Sequence, residues 1–293
     1  MVLLMNNNKL FNELQVKLAQ EIYNKYDKVI NKVAKLHKIS KQAILDKIAR
    51  LILEYNVIDG AISINTAIKA KLRKQLNEFI KEVFETECEG ENAIVKDTLY
   101  NVAQDKYYSN CYLYGIGVNY TLKPVKESTL KKIIDKKING KTYSDRIWSN
   151  KNKVAKQIRI EVNNFLNGKT DINSINSVIS KRFDVNWNNS NRLVRDSIGR
   201  VQWEANKVWR KQHNIDKVMW DATLDKRTCT FCQGYDGKIY DTNDTPHQHI
   251  MCRCELIPLV DGWKPSEKWD NENKQRISYK TYKEWLEEQD LNN

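Results

Sequence analysis

Leu224-Asp-Lys-Arg-Thr-Cys229-Thr-Phe-Cys232, followed after 16 residues by His249-Ile-Met-Cys252-Arg-Cys254, is where this chain changes character. Before it, apolar residues recur with helical spacing; within it, turn residues dominate and four of the six cysteines gather. Two cysteines three positions apart at a turn can grip one Zn²⁺ with both thiolates. The intervening stretch fits a short β excursion that returns to the metal. If 252–254 is extended, Cys252 and Cys254 face one side and Arg253 the other. Cys229, Cys232, His249, Cys252 and Cys254 therefore compete for the four positions of a tetrahedral site. A closed site of this kind is structural, because no position remains for water, so the expectation is one structural zinc per chain and no catalytic residue. The competing reading is a set of buried thiols or a disulfide. His247 reads as an exposed loop histidine, and Cys88 and Cys111, on helix patterns, as core residues.

Working outward, Val218-Met219-Trp220 reads as a strand leading into the module. Upstream, periodicity predicts helices over about 9–37, a second capped by Ser40, and further helices over 65–88 and 91–113, with Gly115 and Gly117 breaking the pattern. Ser128 can cap a short helix through Ile138, ended by Asn139-Gly140. Thr142 and Asp145 have capping-box spacing for a helix running to Leu166, stopped by Asn167-Gly168. Helices over 172–183 and 189–213 follow, and the polar stretch 264–293 can form one helix around 278–288. The expected fold class is mainly α, with long helices and a small C-terminal α+β zinc-binding module. The expected division is 1–118, an N-terminal helical region; 119–217, a basic helical middle; 218–262, the Cys/His module; and 263–293, a polar C-terminal helix or tail. The Gly-Lys-Thr triplets at 140–142 and 168–170 lack the earlier glycine of a phosphate loop, since Asp135 and Asn163 stand there.

Charge is unevenly spread. The chain of 293 residues carries a net +12. Residues 101–200 hold 19 Lys/Arg against 8 Asp/Glu, so the middle third supplies nearly all of the excess. Such a surface attracts phosphate without reading sequence; a solvated helical face is the bland alternative. No run of about 18 uncharged apolar residues occurs, so no membrane span is expected. The opening residues are too short for a signal-peptide core. The protein therefore reads as intracellular or virion-borne, where clustered cysteines serve metals more often than disulfides.

These residues, in this order, resemble a known family. Arg192-Leu-Val-Arg195 opens a helix; Trp220, the Cys229–Cys232 pair, Asp236-Gly237-Lys238-Ile-Tyr240, Pro246, His249-x-x-Cys252-Arg253-Cys254 and Pro258 follow. The set resembles the Mu F-like head-morphogenesis (minor capsid) family of tailed phages over roughly 120–260, and Gly140-Lys-Thr-Tyr-Ser-Asp-Arg146 is similar to that family's upstream stretch. The chain departs from the pattern at Thr245 and Ile250, where the family has proline, and at Asp196-Ser197, where it has Thr-Glu. The resemblance implies a structural, morphogenetic minor head protein of low copy number, associated with the portal protein and with major capsid or scaffold proteins. It implies residence in the virion, at the head interior or portal vertex, after assembly in the host cytoplasm. Non-specific contact with double-stranded DNA is compatible with the basic middle; a membrane partner is not expected.

Two other classes compete. A zinc-stabilised His-Asn-His nuclease also pairs cysteines around a ββα unit, but this chain has only 4 His, and no His/Asn pair follows Cys254. A non-viral nucleic-acid-binding zinc protein should have a basic module, whereas 221–260 holds 4 Lys/Arg against 6 Asp/Glu.

Overall fold

The computed structural model describes residues 2–115, 123–259 and 265–291. In chain order it contains α1 (Val2–Glu54), β1 (Val57–Ile58), β2 (Ala61–Ile62), α2 (Thr66–Gly115), α3 (Glu127–Ile134), α4 (Tyr143–Leu166) and α5 (Ile175–Gln212). There follow β3 (Lys217–Asp221), α6 (Thr230–Tyr235), β4 (Ile239–Asp241), β5 (Glu255–Leu259), β6 (Glu267–Asp270), β7 (Gln275–Ser278) and α7 (Tyr282–Leu291). The protein is mainly helical, with few and small sheets. None of the described helices is long and apolar enough to cross a membrane.

The helices are fewer and longer than the periodicity predicts. Ser40 does not start a second helix: α1 runs through it for 53 residues. No Gly or Pro interrupts the run, and the buried stripe Val29, Val33, Ile44, Ile48 and Leu51 continues past it. Ser40 is itself buried and hydrogen-bonds the Glu87 side chain. The expected helices over 65–88 and 91–113 are one helix, α2. Its Gly90 does not break it but lets α1 approach, since a β-carbon there would meet Leu36 Cδ1 at 3.1 Å. The expected break between 183 and 189 is also absent from α5, where Asn186 and Ser190 turn inward. Gly115 ends α2 as expected; Gly117 lies outside the described residues.

Other local signals act as read. Thr142 caps α4 through a full capping box with Asp145. Asn167 closes α4, and Gly168 takes φ +72 after it. Asn139-Gly140, however, is a tight turn and not a helix end: both residues have positive φ, Ile138 bridges Lys141, and α3 has stopped at Ile134. The C-terminal stretch is more than one helix, because the β6–β7 hairpin precedes α7.

The chain forms two compact units, interleaved along the sequence. One comprises 1–25, 99–134 and 196–293; the other comprises 26–98 and 135–195. In the second, Ile44, Ile48, Leu72, Ile80, Phe84, Ile158, Phe165 and Ile179 of α1, α2, α4 and α5 form one apolar core. In the first, Trp209 packs with Tyr107, Cys111 and Tyr114, and a three-stranded antiparallel sheet in the order β4-β3-β5 carries the Cys/His module.

Candidate metal centre

Strand β3 is the spine of the module. It pairs with β4 on one side (Val218 with Tyr240) and β5 on the other (Trp220 with Leu256). Trp220 is buried against Trp203 and Tyr235, with ring centroids at 5.6 and 5.3 Å. From β3 the chain turns through 222–228 into α6, where Cys229 is the N-cap and Cys232 lies in the first turn. Gly237, at φ +74, reverses the chain into β4. Met251 takes φ +62, and Cys252 N–H donates to the His249 carbonyl (3.2 Å). That turn directs His249 and Cys252 back towards α6.

The structure brings all five expected donors together. Ligand atoms of Cys229, Cys232 and His249 lie within 4.8 Å of one another, as do those of Cys232, Cys252 and Cys254. Cys232 belongs to both groups. His249 Nε2 is 3.3 Å from Cys229 Sγ and 3.2 Å from Cys232 Sγ, and Cys232 Sγ is 3.6 Å from Cys252 Sγ. Cys252 and Cys254 are both buried, while Arg253 turns away to Asp225, as alternation in an extended segment requires. The other nitrogen of His249, Nδ1, is 2.8 Å from the Ile250 carbonyl. A proton donated there leaves the Nε2 lone pair facing the sulfurs, the usual orientation of a metal-binding imidazole. His247 is exposed and joins neither group.

The sulfurs compete for protons. Hydrogen bonds from Cys232 and Cys254 draw the Cys252 thiol down to about 4, and the bonds to Cys252 and Cys254 push Cys232 well up. A cation at the centre would replace those protons. The donor set, thiolate sulfur and imidazole nitrogen, suits a borderline-soft tetrahedral ion such as Zn²⁺ and offers one donor more than it needs.

Two carboxylates bracket the first cysteine pair; both fall within the stretches quoted above, and no role in the site was expected of either. Asp225 is buried; its carboxylate accepts from Arg227 N–H (2.9 Å), Arg253 Nη2 (2.7 Å) and Asn271 Nδ2 (2.9 Å). Burial pushes its carboxyl up, but the bonds from Arg253 and Asn271 outweigh this and hold it well below the usual range. Asp236 accepts from Ala222 N–H (2.6 Å) and from Lys268 Nζ (2.9 Å to each oxygen).

A second cluster lies in the other unit. Lys151 Nζ of α4 is 2.6 Å from Glu87 Oε1, 2.6 Å from Glu91 Oε2 and 2.7 Å from His37 Nε2. Asn186 and Ser190 of α5 complete it. The one sequence signal was Glu87 and Glu91, one helical turn apart on the buried face of α2. Cys88 and Cys111 are buried, as expected of core residues.

A family model described as Phage Mu protein F like protein matches residues 152–257. A curated relative, the NAD(+)--arginine ADP-ribosyltransferase EFV of Enterococcus faecalis, is 22% identical over 275 residues, covering 85% of this chain and 56% of that protein. The chain thus spans little more than half of that relative's length. No solved structure matches. The family match takes in most of α4, all of α5 and every candidate metal donor, so residues 152–257 are similar to Mu F-like phage proteins, while the stretch 140–146 lies outside the match.

Proposed function

We propose that this protein is a structural, morphogenetic minor head protein of a tailed phage or prophage, associating with the portal protein and the capsid interior during head assembly. The observation that carries the reading is the family match over 152–257, which takes in most of α4, all of α5 and every candidate metal donor. In this reading Cys229, Cys232, His249, Cys252 and Cys254 supply the donors for one structural Zn²⁺ that holds α6 against the loop before β5. Small modules with little apolar interior depend on such staples. The basic middle neutralises phosphate: Lys153 and Lys156 are exposed on α4, and the one glutamate of that helix, Glu161, is turned to Arg182. Co-expression with the cognate portal protein tests the assignment. A stable complex on size-exclusion chromatography is expected, and its absence under assembly conditions counts against the portal partner.

The transferase name of the E. faecalis relative favours a second reading, as an enzyme. We hold to the non-enzymatic one, because the match covers only 56% of that protein and residues 152–257 match the Mu F-like family. Incubation with NAD⁺ and an arginine-rich acceptor should consume no cofactor, and incubation with DNA and Mg²⁺, Mn²⁺ or Zn²⁺ should give no cleavage. ADP-ribosylation of the acceptor, or DNA cleavage lost on His249→Ala with folding retained, replaces the structural reading with the enzymatic one.

A further inference from the structure

We propose that residues 265–291 form a clasp whose docking and metal occupancy are coupled, with Asp225 and Asp236 as the positioning residues that transmit the coupling. The inference rests on the metal reading above. The clasp lies beyond the family-matched segment, which ends at 257.

The argument begins with spacing. Asp225 lies four residues before Cys229, and Asp236 four after Cys232. Each carboxylate is buried, and each ties together three stretches of chain. Asp225 binds the turn that delivers Cys229, through Arg227 N–H and the Thr228 hydroxyl. It binds Arg253, which stands between the ligands Cys252 and Cys254. From the clasp it accepts Asn271 Nδ2, and the Tyr282 hydroxyl donates to its backbone carbonyl at 3.1 Å. Asp236 closes α6, its N–H donating to the Cys232 carbonyl at 3.2 Å. It accepts Ala222 N–H from the end of β3 and, from the clasp, Lys268 Nζ and Tyr282 N–H.

The clasp is built to stay down. Asn271 and Glu272 N–H donate to the Leu224 carbonyl, and Leu224 is fully buried with Tyr282 and Trp285. Trp285 Nε1 donates to the buried Asp270 (2.8 Å). Undocking would take Asn271 from Asp225 and both Lys268 and Tyr282 from Asp236, and a buried carboxylate that loses its donors is costly. The turn before Cys229 and the end of α6 would then loosen, and with them the ligand geometry. Partners of this outer kind typically change metal affinity by about 10–100-fold. Coupling is reciprocal, so metal must hold the clasp as much as the clasp holds the metal.

The test uses the full chain and Zn²⁺. Asn271→Ala combined with Tyr282→Phe removes the clasp's side-chain bonds to Asp225 while leaving all five ligands. Zinc affinity is read by competition with a chromophoric chelator, and Co²⁺ substitution reports ligand geometry through its visible bands. The variant should bind zinc about 10–100-fold more weakly, with altered Co²⁺ bands and an unchanged far-ultraviolet spectrum. In the wild-type chain, EDTA should accelerate protease cleavage between 265 and 281, and zinc should restore protection. Unchanged zinc affinity in the variant, or cleavage indifferent to EDTA in a chain that does bind zinc, overturns the coupling and leaves the metal reading standing. A wild-type chain that takes up no zinc overturns both.

Discussion

Lys151 Nζ lies 2.6 Å from Glu91 Oε2, with both side chains sealed from solvent. Glu87 and His37 face the same ammonium, so one lysine compensates two buried carboxylates inside the unit made of 26–98 and 135–195. The arrangement is intolerant of losing its cation. Lys151→Met keeps the volume but leaves Glu87 and Glu91 uncompensated, and should destabilise the protein by about 3–5 kcal/mol. Denaturant unfolding measures it. A loss below about 1 kcal/mol would show that the carboxylates reach water or take up protons in the variant.

The same cluster sets a pH dependence. Burial alone would raise the Glu91 carboxyl, but the His37 hydrogen bond and the Lys151 charge outweigh it and hold it at about 2, against 4.5 when unfolded. Glu87 is lowered too, against the pull of burial, chiefly by Lys151 and His37. A lowered folded-state pKa means the stabilisation is full above the unfolded value and is lost as pH falls through the folded one. Denaturation midpoints of the 26–98/135–195 unit should therefore hold from pH 7 to about 5 and fall steadily between 4.5 and 2. In Glu91→Gln that fall should be shallower.

Metal content follows from the shared position of Cys232. Purified protein should carry about one zinc per chain, and Cys232→Ser should abolish binding, because Cys232 belongs to both donor groups. Single replacements of Cys229, His249, Cys252 or Cys254 each leave four donors including Cys232, so one of these four variants should keep near-native zinc affinity. Elemental analysis with a chelator titration distinguishes them. Replacing both Cys229 and Cys232 with Ser should unfold 218–259 and lower solubility while sparing most helical signal, since α1 to α5 all end by Gln212.

In the proposed reading, the exposed Lys153 and Lys156 of α4 contact phosphate. The protein should bind duplex DNA at about 50 mM salt without sequence preference. Affinity should fall linearly with the logarithm of salt concentration, with a slope of about −0.9 per neutralised phosphate. Lys153→Gln with Lys156→Gln should make the slope shallower by about 2 if both contact phosphate. An unchanged slope moves the contact off α4.

Local chemistry was legible residue by residue. The Thr142–Asp145 capping box, the strand at Val218–Trp220, the stop at Asn167-Gly168 and the alternation that turns Cys252 and Cys254 to one side all depend on neighbours a few positions away. The five candidate donors were expected to gather because they fall in two closely spaced groups within one turn-rich stretch. What only the tertiary structure decided is which interruptions are real. Ser40, Gly90 and the 184–190 stretch read as helix boundaries because polar or small residues weaken a helix locally. In the folded protein Ser40 and Asn186 bind Glu87, and Ser190 binds Glu91, across a packed interior, while Gly90 admits Leu36. The same holds for Asp225 and Asp236, which look like surface acids until the clasp, 32 to 57 residues further along, closes on them. Partners this distant in sequence leave no periodic trace, because their compatibility is a property of burial and not of spacing.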